Sequence, residues 1–591
     1  MDRRTAARDA LALVGGACLA YQAACLVRHL LGGGSLATLF SSTLRSAVAG
    51  AVAAARALPL ASSALDAGLD GALDGLRDEL APASAGSLRV LPAQGRSASE
   101  VLAELRAGLA QDAASNGLGR GTAFGGIYHV LGSEPPLHAL HAAVAEACLD
   151  TNQLYPGLFK TARRVEAEAV AMAVAVLRDG GDGSGGGAPA PAACGLFTSG
   201  GTESVILAVK AHRDAALAAL GLGSSSAAAP GQLPPLLAAA LSGRGALNVV
   251  AGTTVHPAFD KACALLGLQL RKVPVDARTL ALSPASAASA LDSSTVLLVA
   301  SAPGFAHGVV DDVPALGALA LAHATSPFGA SGLPLHVDNC LGGLLLSFTP
   351  GAPPFDFRAS PAVASISMDL HKYAGAPKGA SVLAFRAPAR RRAAYSVTTD
   401  FPGGLYATPT LSGSRSGSAG ALAWATLLAA GAQGLALGAA RVAQAHAQLL
   451  AGVQATPHLQ LLGRPAACVI AFAPSPSASF SIFALAARLA KLRGWRLALL
   501  QAPAGAHVVV TERFAEPWEG EGGSEAAGGL TVGQAWLRDL RACVEAAQRE
   551  PRDPEFEGQG EAAIYGAAGL LPQGEVGEVL RRYCDVLTVV R

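Results

Sequence analysis

At 591 residues the chain is too long for one hydrophobic core, so its length predicts two folded domains with additional segments. The formal net charge is +1 and charged residues make up 15% of the chain, which argues against a nucleic-acid partner. Nine cysteines, none of them in a CxxC pair, argue against a disulfide framework and a zinc ribbon. Reduced thiols in a cytosol-facing protein are the simplest interpretation, and no metal site is expected.

Residues 10–27 form an uncharged segment close to the N-terminus. A membrane span needs roughly 20 apolar residues, so this segment is just long enough if its neighbours contribute. A single-pass anchor, a cleaved signal peptide and an organelle transit peptide all fit the pattern, although Asp2 and Asp9 argue against the transit peptide. Hydropathy favours the anchor. Arginines on both sides of the segment leave its orientation open.

The composition divides the remainder of the chain. We assign residues 1–60 to the anchor and a juxtamembrane helix, 61–160 to an N-terminal helical segment, 161–390 to a large domain and 391–591 to a small C-terminal domain. Three segments rich in Gly, Ser and Pro cannot build a core and are expected to be mobile surface loops, namely residues 181–193, 221–235 and 519–529.

The large domain alternates apolar runs with helical patterns. Five runs predict strands, several of them too apolar to have a face in water: 247–252, 294–301, 333–339, 364–369 and 380–385. Helical spacing lies between them at 203–220 and 257–267. This alternation predicts an α/β fold with a mostly parallel sheet. A long helix over 419–450, followed by strands at 468–474 and 506–512, predicts an α+β arrangement for the small domain.

A Gly-Gly turn between a strand and a helix is the first candidate ligand site. In the sequence FTSGGTESVILAVKA (197–211), Gly201 and Thr202 open the predicted helix. Backbone N–H groups of such a turn, together with the helix N-terminus, can hold an anion. An ordinary capped turn explains the same pattern, and on its own this is a weak phosphate site.

Three further residues follow predicted strands, where ligands bind in an open parallel sheet. Asp338 ends one strand, His256 follows another and Lys372 follows a third. Asp338 could equally cap the next helix, and His256 could be a core or capping histidine. Taken together with the Gly-Gly turn, a strand-end aspartate and a lysine are the groups that pyridoxal phosphate requires. The sequence therefore predicts a pyridoxal-phosphate site.

Eight blocks occur in the order found in the sphingosine-1-phosphate lyase family, a branch of the group II decarboxylases. They are LPAQG (91–95), GGIY (125–128), SGGTES (199–204), FAHGVVD (305–311), LHVDNCLGG (335–343), SISMDLHKYAGAPKG (365–379), GGLYATPTLSGSRSG (403–417) and AAIYGAAG (562–569). The resemblance implies the aspartate-aminotransferase fold (fold type I), with a seven-stranded large domain and a smaller α+β domain. It covers most of the chain from about residue 35 to 585.

The resemblance assigns roles in cofactor binding. It implies that Lys372 is the Schiff-base lysine, that Asp338 pairs with the pyridinium nitrogen and that His256 stacks on the ring. The remaining positions expected at the cofactor, mainly at its phosphate, are Gly201, Thr202, His371 and Ser414.

The resemblance also assigns substrate contacts. Lys378 and Tyr128 would face the substrate phosphate or the leaving hydroxyl, and both are also candidate catalytic groups. Tyr406, Ser414 and Arg415 would serve the site of the neighbouring subunit in a homodimer, with Tyr406 and Arg415 at the substrate.

The function that the resemblance implies is cleavage of a phosphorylated long-chain base to phosphoethanolamine and a long-chain aldehyde. The family carries a single span in the endoplasmic reticulum membrane, with the catalytic part in the cytosol. An amino-acid decarboxylase of the same fold and a non-catalytic relative are the alternatives. The sequence departs from the family at residues 150–159, which are shorter and lack a histidine expected at the substrate phosphate. His138 or His141 could replace it.

Overall fold

The computed structural model describes residues 94, 96–115, 135–180, 192–221, 246–518, 529–551, 556 and 573–588. The predicted anchor at residues 10–27, Tyr128 and most of the three predicted mobile loops lie outside the described residues. The predictions made for them therefore remain predictions.

A seven-stranded mixed sheet, in the order β1-β7-β6-β5-β4-β2-β3, forms the centre of the large domain. Its strands are β1 Cys194–Thr198, β2 Asn248–Gly252, β3 Gln269–Val273, β4 Thr295–Ser301, β5 Leu335–Asp338, β6 Val363–Asp369 and β7 Ser381–Phe385. Neighbours from β3 to β6 pair in parallel, whereas β7 runs antiparallel to both β6 and β1. All five predicted strands are confirmed. β3 was not predicted, because this five-residue edge strand, QLRKV, contains three polar residues and no continuous apolar run.

Nine described helices belong to this part of the chain, and the last seven of them contact strands of the sheet. They are α1 Ala98–Ser115, α2 Pro135–Ala147, α3 Lys160–Asp179, α4 Gly201–Ala219, α5 Ala258–Leu266, α6 Pro284–Ala288, α7 Val313–Ala322, α8 Gly343–Phe348 and α9 Pro388–Ala393. The predicted helices at 203–220 and 257–267 are thus confirmed as α4 and α5. Eleven of the nineteen residues of α4 are buried, because this helix packs across β6 and β7 and is covered in turn by α5 and α9. Consequently α4 brings the Gly-Gly turn to the sheet.

The C-terminal part of the chain forms a second layer of sheet and helices. Its helices are α10 Ser418–Gln454, α11 Ile482–Arg493, α12 Val532–Arg549 and α13 Gln573–Thr588, with a 3₁₀ turn at Glu512–Ala515; a second 3₁₀ turn, Gly329–Ser331, belongs to the large domain. Its strands are β8 Ser396–Thr398, β9 Tyr406–Thr408, β10 Leu459–Leu461, β11 Val469–Pro474, β12 Ala498–Gln501 and β13 Ala504–Val509. The last four strands form an antiparallel sheet in the order β10-β11-β13-β12, which confirms the predicted α+β arrangement.

The helix α10 is, among the described helices, the one that is long and apolar enough to cross a membrane by length and composition. It is not continuous, because Gly431 has φ +59° and interrupts the helical backbone. Its two parts contact α2, α3 and α12, and residues such as Leu427, Leu449 and Val453 are buried against them. Thirteen of its 37 residues are buried in this way.

The two sheets share one hydrophobic core. A single cluster of buried residues runs from Val337 and Ile366 of the large sheet to Ile470 and Trp536 of the small domain. A hydrogen bond from the Tyr373 hydroxyl to the Val510 carbonyl oxygen (2.7 Å) joins the segment after β6 to the small domain. The residues around Lys372 are therefore held from both sides.

Buried histidines make the stability of the fold depend on pH. Burial lowers the pKa to about 4 for His307, His336, His446 and His507. In an unfolded chain the pKa of histidine is about 6.5, so between these values the unfolded state binds protons that the native state does not. Burial has the opposite effect on Asp311, whose pKa is raised to about 6 despite hydrogen bonds from Ser301 and Leu282, and this offsets part of the change.

We predict that the protein loses stability as the pH falls from 7 to 5, by about 2 kcal/mol for each such histidine at pH 5. The measurement is the free energy of unfolding in urea as a function of pH. The variant His446→Gln should show a shallower dependence, because one protonation step of the unfolded state has been removed. Stability that is constant over this pH interval would contradict the prediction.

Candidate active site

The strands β1, β6, β5 and β4 end at one edge of the large sheet, where the antiparallel strand β7 begins. Thr198 at the end of β1 and Asp369 at the end of β6 are both register partners of Ser381 in β7. Asp338 at the end of β5 is paired with Ser367 in β6 and Ser301 in β4. The residues that follow β1, β5 and β6 therefore come together, as the strand-end argument predicted.

Lys372 lies immediately beyond β6 and pairs with a carboxylate of the same strand. Its Nζ is 3.0 Å from Asp369 Oδ2, and Asp369 is only 2% exposed. The ring of His371 is also directed to this oxygen, with Nε2 3.4 Å away. Because His371 Nδ1 accepts a hydrogen bond from the Ala380 N–H, the ring carries its proton on Nε2. Burial lowers the pKa of His371, and the positive charges of Lys378 and Lys372 lower it further against the effect of Asp369.

The turn of Gly200 and Gly201 lies directly over this carboxylate. A Cβ atom placed on Gly201 would be 2.8 Å from Cys340 Sγ and 3.0 Å from both oxygens of Asp369. On Gly200 it would meet nothing closer than His371 Cε1, at 3.6 Å. Only a residue without a side chain fits at position 201, so the first turn of α4 can approach the end of β6.

Asp338 is a buried carboxylate with two hydrogen-bond donors. Its Oδ1 accepts from the Cys340 N–H at 3.1 Å and from the Ser367 hydroxyl at 3.2 Å. Burial alone would raise its pKa, but attraction to the His256 and His336 imidazoles and the bonds from Cys340 outweigh burial, so the pKa of Asp338 lies below its ordinary value. Asp338 is therefore ionised at neutral pH.

His256 and Lys378 complete the group. His256 is exposed beyond the end of β2, and its Nδ1 accepts a hydrogen bond from the Ala258 N–H at 3.1 Å. Lys378 donates to the His371 carbonyl oxygen at 3.3 Å. Burial lowers the pKa of Lys378, and the positive charge of Lys372 lowers it further against the effect of Asp369. The two lysines thus lie close enough to repel each other.

The block 403–417 is fixed next to the Gly-Gly turn by a buried glutamate. Glu203 Oε1 accepts from the Leu411 N–H (3.0 Å), and Oε2 accepts from the N–H and the hydroxyl of Ser199, both at 2.7 Å. Tyr406 lies on β9 over Gly413, where an added Cβ would be 2.2 Å from the tyrosine oxygen. Thr202, in the first turn of α4, is exposed.

Ser414 and Arg415 contact the N-terminal part of the same chain. Asn152 Nδ2 donates to Ser414 Oγ at 3.2 Å. Arg415 donates two parallel hydrogen bonds to Glu166 of α3, at 3.0 and 2.9 Å. The short 150–159 segment is therefore packed on the 403–417 block, beside the site.

His141 does not lie free as a replacement for the missing histidine. Its Nε2 is 2.8 Å from Thr426 Oγ1 of α10, whereas His138 is exposed on α2. A cleft of about 410 Å³ lies between α3, β1 and the 403–417 block, and Glu166, Thr410 and Arg415 are among its lining residues. Lys372, Asp338 and His256 do not line that cleft.

Sequence reasoning missed three carboxylates of the site. Asp369, Glu203 and Glu166 are buried or half-buried, and each holds a group that the sequence did single out. For Asp369 a signal was present, since it lies three residues before Lys372 and ends a strand just as Asp338 does. The bond of Glu203 to Leu411 and the pair of Glu166 with Arg415 join residues that are too distant in the sequence to be recognised.

These residues fit pyridoxal phosphate. Gly201 forms a cradle that a Cβ would fill, at the N-terminus of α4, where backbone N–H groups favour an anion. Asp338 is ionised and can hold a proton on a pyridine nitrogen. Lys372 supplies the amine. Asp369 Oδ1 has no hydrogen-bond partner among the described residues, so its carboxylate can take a further donor.

Comparison with known proteins agrees with this donor set. Residues 183–474 match the family model described as the pyridoxal-dependent decarboxylase conserved domain. The chain is 32% identical to the sphingosine-1-phosphate lyase of Drosophila melanogaster over 77% of this chain and 73% of that protein. It is 32% identical to that of Arabidopsis thaliana over 84% of this chain and 80% of that protein.

Solved structures show the same relationship. The sphingosine-1-phosphate lyase of Burkholderia pseudomallei is 31% identical and aligns with a TM-score of 0.65 over 79% of this chain and 95% of that one. The glutamate decarboxylase of Lactobacillus brevis is 17% identical, with a TM-score of 0.61 over 80% of this chain and 97% of that one. The second comparison supports the fold alone.

We predict that Gly201→Ala weakens the binding of pyridoxal phosphate by about 10- to 100-fold, because overpacking by one methyl group costs about 1–3 kcal/mol. The measurement is a titration of cofactor-free protein, followed by the visible absorbance of the bound cofactor. Gly200→Ala is the matched control and should bind as the wild type does, since its nearest contact is 3.6 Å. Equal affinities for the two variants would refute the steric argument.

Proposed function

The chain belongs to the sphingosine-1-phosphate lyase family, and we propose that it is a pyridoxal-phosphate-dependent carbon–carbon lyase. Its substrates are sphingosine 1-phosphate and related phosphorylated long-chain bases, and its products are phosphoethanolamine and a long-chain aldehyde. The observation that carries the proposal is the meeting of Lys372, ionised Asp338 and the Gly201 turn at one edge of the sheet, in a chain about 32% identical to such lyases.

The chain's own residues bind and orient the reacting groups. Lys372 would bond the cofactor, Asp338 would hold the proton on the ring nitrogen and His256 would lie against the ring. Gly201, Thr202, His371 and Ser414 are assigned to the cofactor, mainly at its phosphate. The bound cofactor supplies an electron sink, which makes the bond between C2 and C3 of the substrate cleavable once the C3 hydroxyl loses its proton.

Lys378 is the residue that we assign to the substrate phosphate. Its side chain is exposed near Lys372, and partial desolvation and that neighbour both lower its pKa. A dianionic phosphate beside it would relieve this repulsion and form a charge-assisted hydrogen bond. Tyr128 remains a proposed partner, and Tyr406 and Arg415 are proposed to face the substrate.

We predict that the purified protein converts sphingosine 1-phosphate to phosphoethanolamine and a fatty aldehyde, and that Lys372→Ala abolishes this turnover. Lys378→Ala should lower kcat/KM by about 10- to 100-fold, because a charged hydrogen bond to the phosphate is lost, while cofactor affinity hardly changes. Lys261→Ala, at an exposed position on α5, is the control. Both products should be measured by mass spectrometry.

Two results would refute this assignment. Release of carbon dioxide from an amino acid, without aldehyde from the phosphorylated base, would make the protein a decarboxylase of the same fold. A protein that takes up no pyridoxal phosphate would be a non-catalytic relative.

We propose a homodimer whose two sites are shared. Large apolar side chains are exposed around the 150–159 segment and the β8–β9 hairpin, and Leu405 alone is 86% exposed. The others in this group are Tyr155, Leu158, Phe401, Tyr406 and Leu411. Covering them with a second copy would remove apolar surface from water, and it would bring the 403–417 block of one subunit towards the other.

We further propose that residues 10–27 anchor the protein in the endoplasmic reticulum membrane, with the catalytic part in the cytosol. The full-length protein should sediment with membranes and resist a high-salt wash, because burial of this segment is apolar and not ionic. A variant that begins near residue 60 should be soluble and retain activity. Release of the full-length protein by salt alone would contradict the anchor.

A further inference from the structure

A row of polar side chains lies buried between α4 and the large sheet. His336 and Asp338 alternate along β5, and their register partners in β6 are Ser365 and Ser367. The next polar group, His212, comes from α4, which covers this face. Four of these five residues have no exposed surface, and Asp338 is 8% exposed. Polar groups so deeply buried persist only where they are hydrogen-bonded.

The five side chains form one continuous chain of hydrogen bonds. His212 Nε2 is 2.8 Å from Ser365 Oγ, and this oxygen is 2.8 Å from His336 Nδ1. On the other side of the same ring, His336 Nε2 is 3.3 Å from Ser367 Oγ, which bonds to Asp338 Oδ1 at 3.2 Å. The chain therefore leads from α4 to the carboxylate at the end of β5.

The charge of Asp338 fixes the direction of every bond in this chain. An ionised carboxylate can only accept, so the Ser367 hydroxyl donates to it and must itself accept from His336 Nε2–H. His336 Nδ1 then has no proton and accepts from the Ser365 hydroxyl. Ser365 in turn accepts from His212 Nε2–H. Both histidines are thereby assigned the Nε2–H tautomer, and all donors point towards Asp338.

The opposite end of this chain of hydrogen bonds, at His212, lies near the positive charge of Arg390. His212 Nδ1, an acceptor in this arrangement, has no hydrogen-bond partner in the part of the chain that the structure describes, and neither has Arg390 Nη1. Burial lowers the pKa of His212, and the charge of Arg390 lowers it further. Burial likewise lowers the pKa of His336 to about 4. Two neutral imidazoles thus connect a cationic end to an anionic end, with their dipoles aligned.

We propose that the chain His212–Ser365–His336–Ser367 is a one-way hydrogen-bond wire that keeps Asp338 ionised and holds its carboxylate in a fixed orientation. His336 and His212 are therefore positioning residues for the ring nitrogen of the cofactor. This inference rests on the proposed function, since it concerns the residue that holds the pyridine proton. The wire acts through Ser367 and touches neither cofactor nor substrate.

The test uses full-length holoenzyme loaded with pyridoxal phosphate that carries ¹⁵N in the ring. In the wild type the ¹⁵N shift should be that of a protonated pyridine. In His336→Leu, which leaves Ser367 without its donor, the shift should move towards the unprotonated value. The same variant should lose about 10- to 100-fold in kcat with KM nearly unchanged, as expected when a bond in a charged, buried network is removed.

Two variants separate the wire from mere destabilisation. His336→Gln keeps one donor and one acceptor in the side chain, so it should restore the ¹⁵N shift at least in part. His446→Leu removes another buried histidine, in α10, and should leave the shift unchanged even where stability falls. If His336→Leu also leaves the ¹⁵N shift unchanged, the wire is refuted and the residue is only structural.

A second measurement does not depend on the cofactor. In cofactor-free protein with ¹⁵N-labelled histidine, His336 and His212 should both carry the proton on Nε2, and Asp338→Asn should disturb this order. A proton on His336 Nδ1 in the wild type would overturn the proposed direction. If the wild type failed to bind the cofactor, the proposed function would fall, but this spectrum would still decide the tautomers.

Discussion

An ionised carboxylate in the interior is the constraint on which the site depends. Asp338 is 8% exposed, and a charge at such depth costs several kcal/mol unless donors and opposite charges surround it. Two hydrogen bonds to Asp338 offset this cost: one comes from the backbone N–H of Cys340, and the other comes from Ser367 in the polar row on β5 and β6. A parallel sheet with uniformly apolar strands could not hold this carboxylate, so the polar alternation in these two strands follows from the chemistry at their ends.

The second carboxylate at this edge of the sheet, Asp369, is stabilised in a different way. Its partner is Lys372, three residues further along the chain, and the turn at Gly201 packs directly on it. The Gly201 turn and Lys372 are thus positioned by the same buried group. Since Glu203 ties this turn to Leu411, the 403–417 block is fixed to the same point. One cluster of carboxylates therefore organises three segments that are distant in the sequence.

Whether a part of the fold or the site could be predicted depends on how far apart in the sequence its interacting residues lie. The five core strands and the helices α4 and α5 could be predicted because apolar runs and helical spacing are local signals. Asp338 and Lys372 could be predicted because parallel strands end at one edge. The polar residues of 364–369 were visible, but this segment was interpreted only as a buried strand. Their alternation makes sense only once His212 of α4 is known to lie opposite Ser365.

The assignments for Arg415 and Ser414 rest on resemblance, and the structure changes what those residues are expected to do. Arg415 lies 249 residues from Glu166, and no local pattern indicates their two parallel hydrogen bonds. Both side chains are about 15% exposed, so an arginine that left this pair to bind a substrate would strand a largely buried glutamate. Arg415 therefore holds the 403–417 block against α3, and its proposed contact with the substrate would have to leave the pair with Glu166 intact. Recognition of the substrate phosphate would then depend on Lys378 and on groups that a second subunit brings to the site.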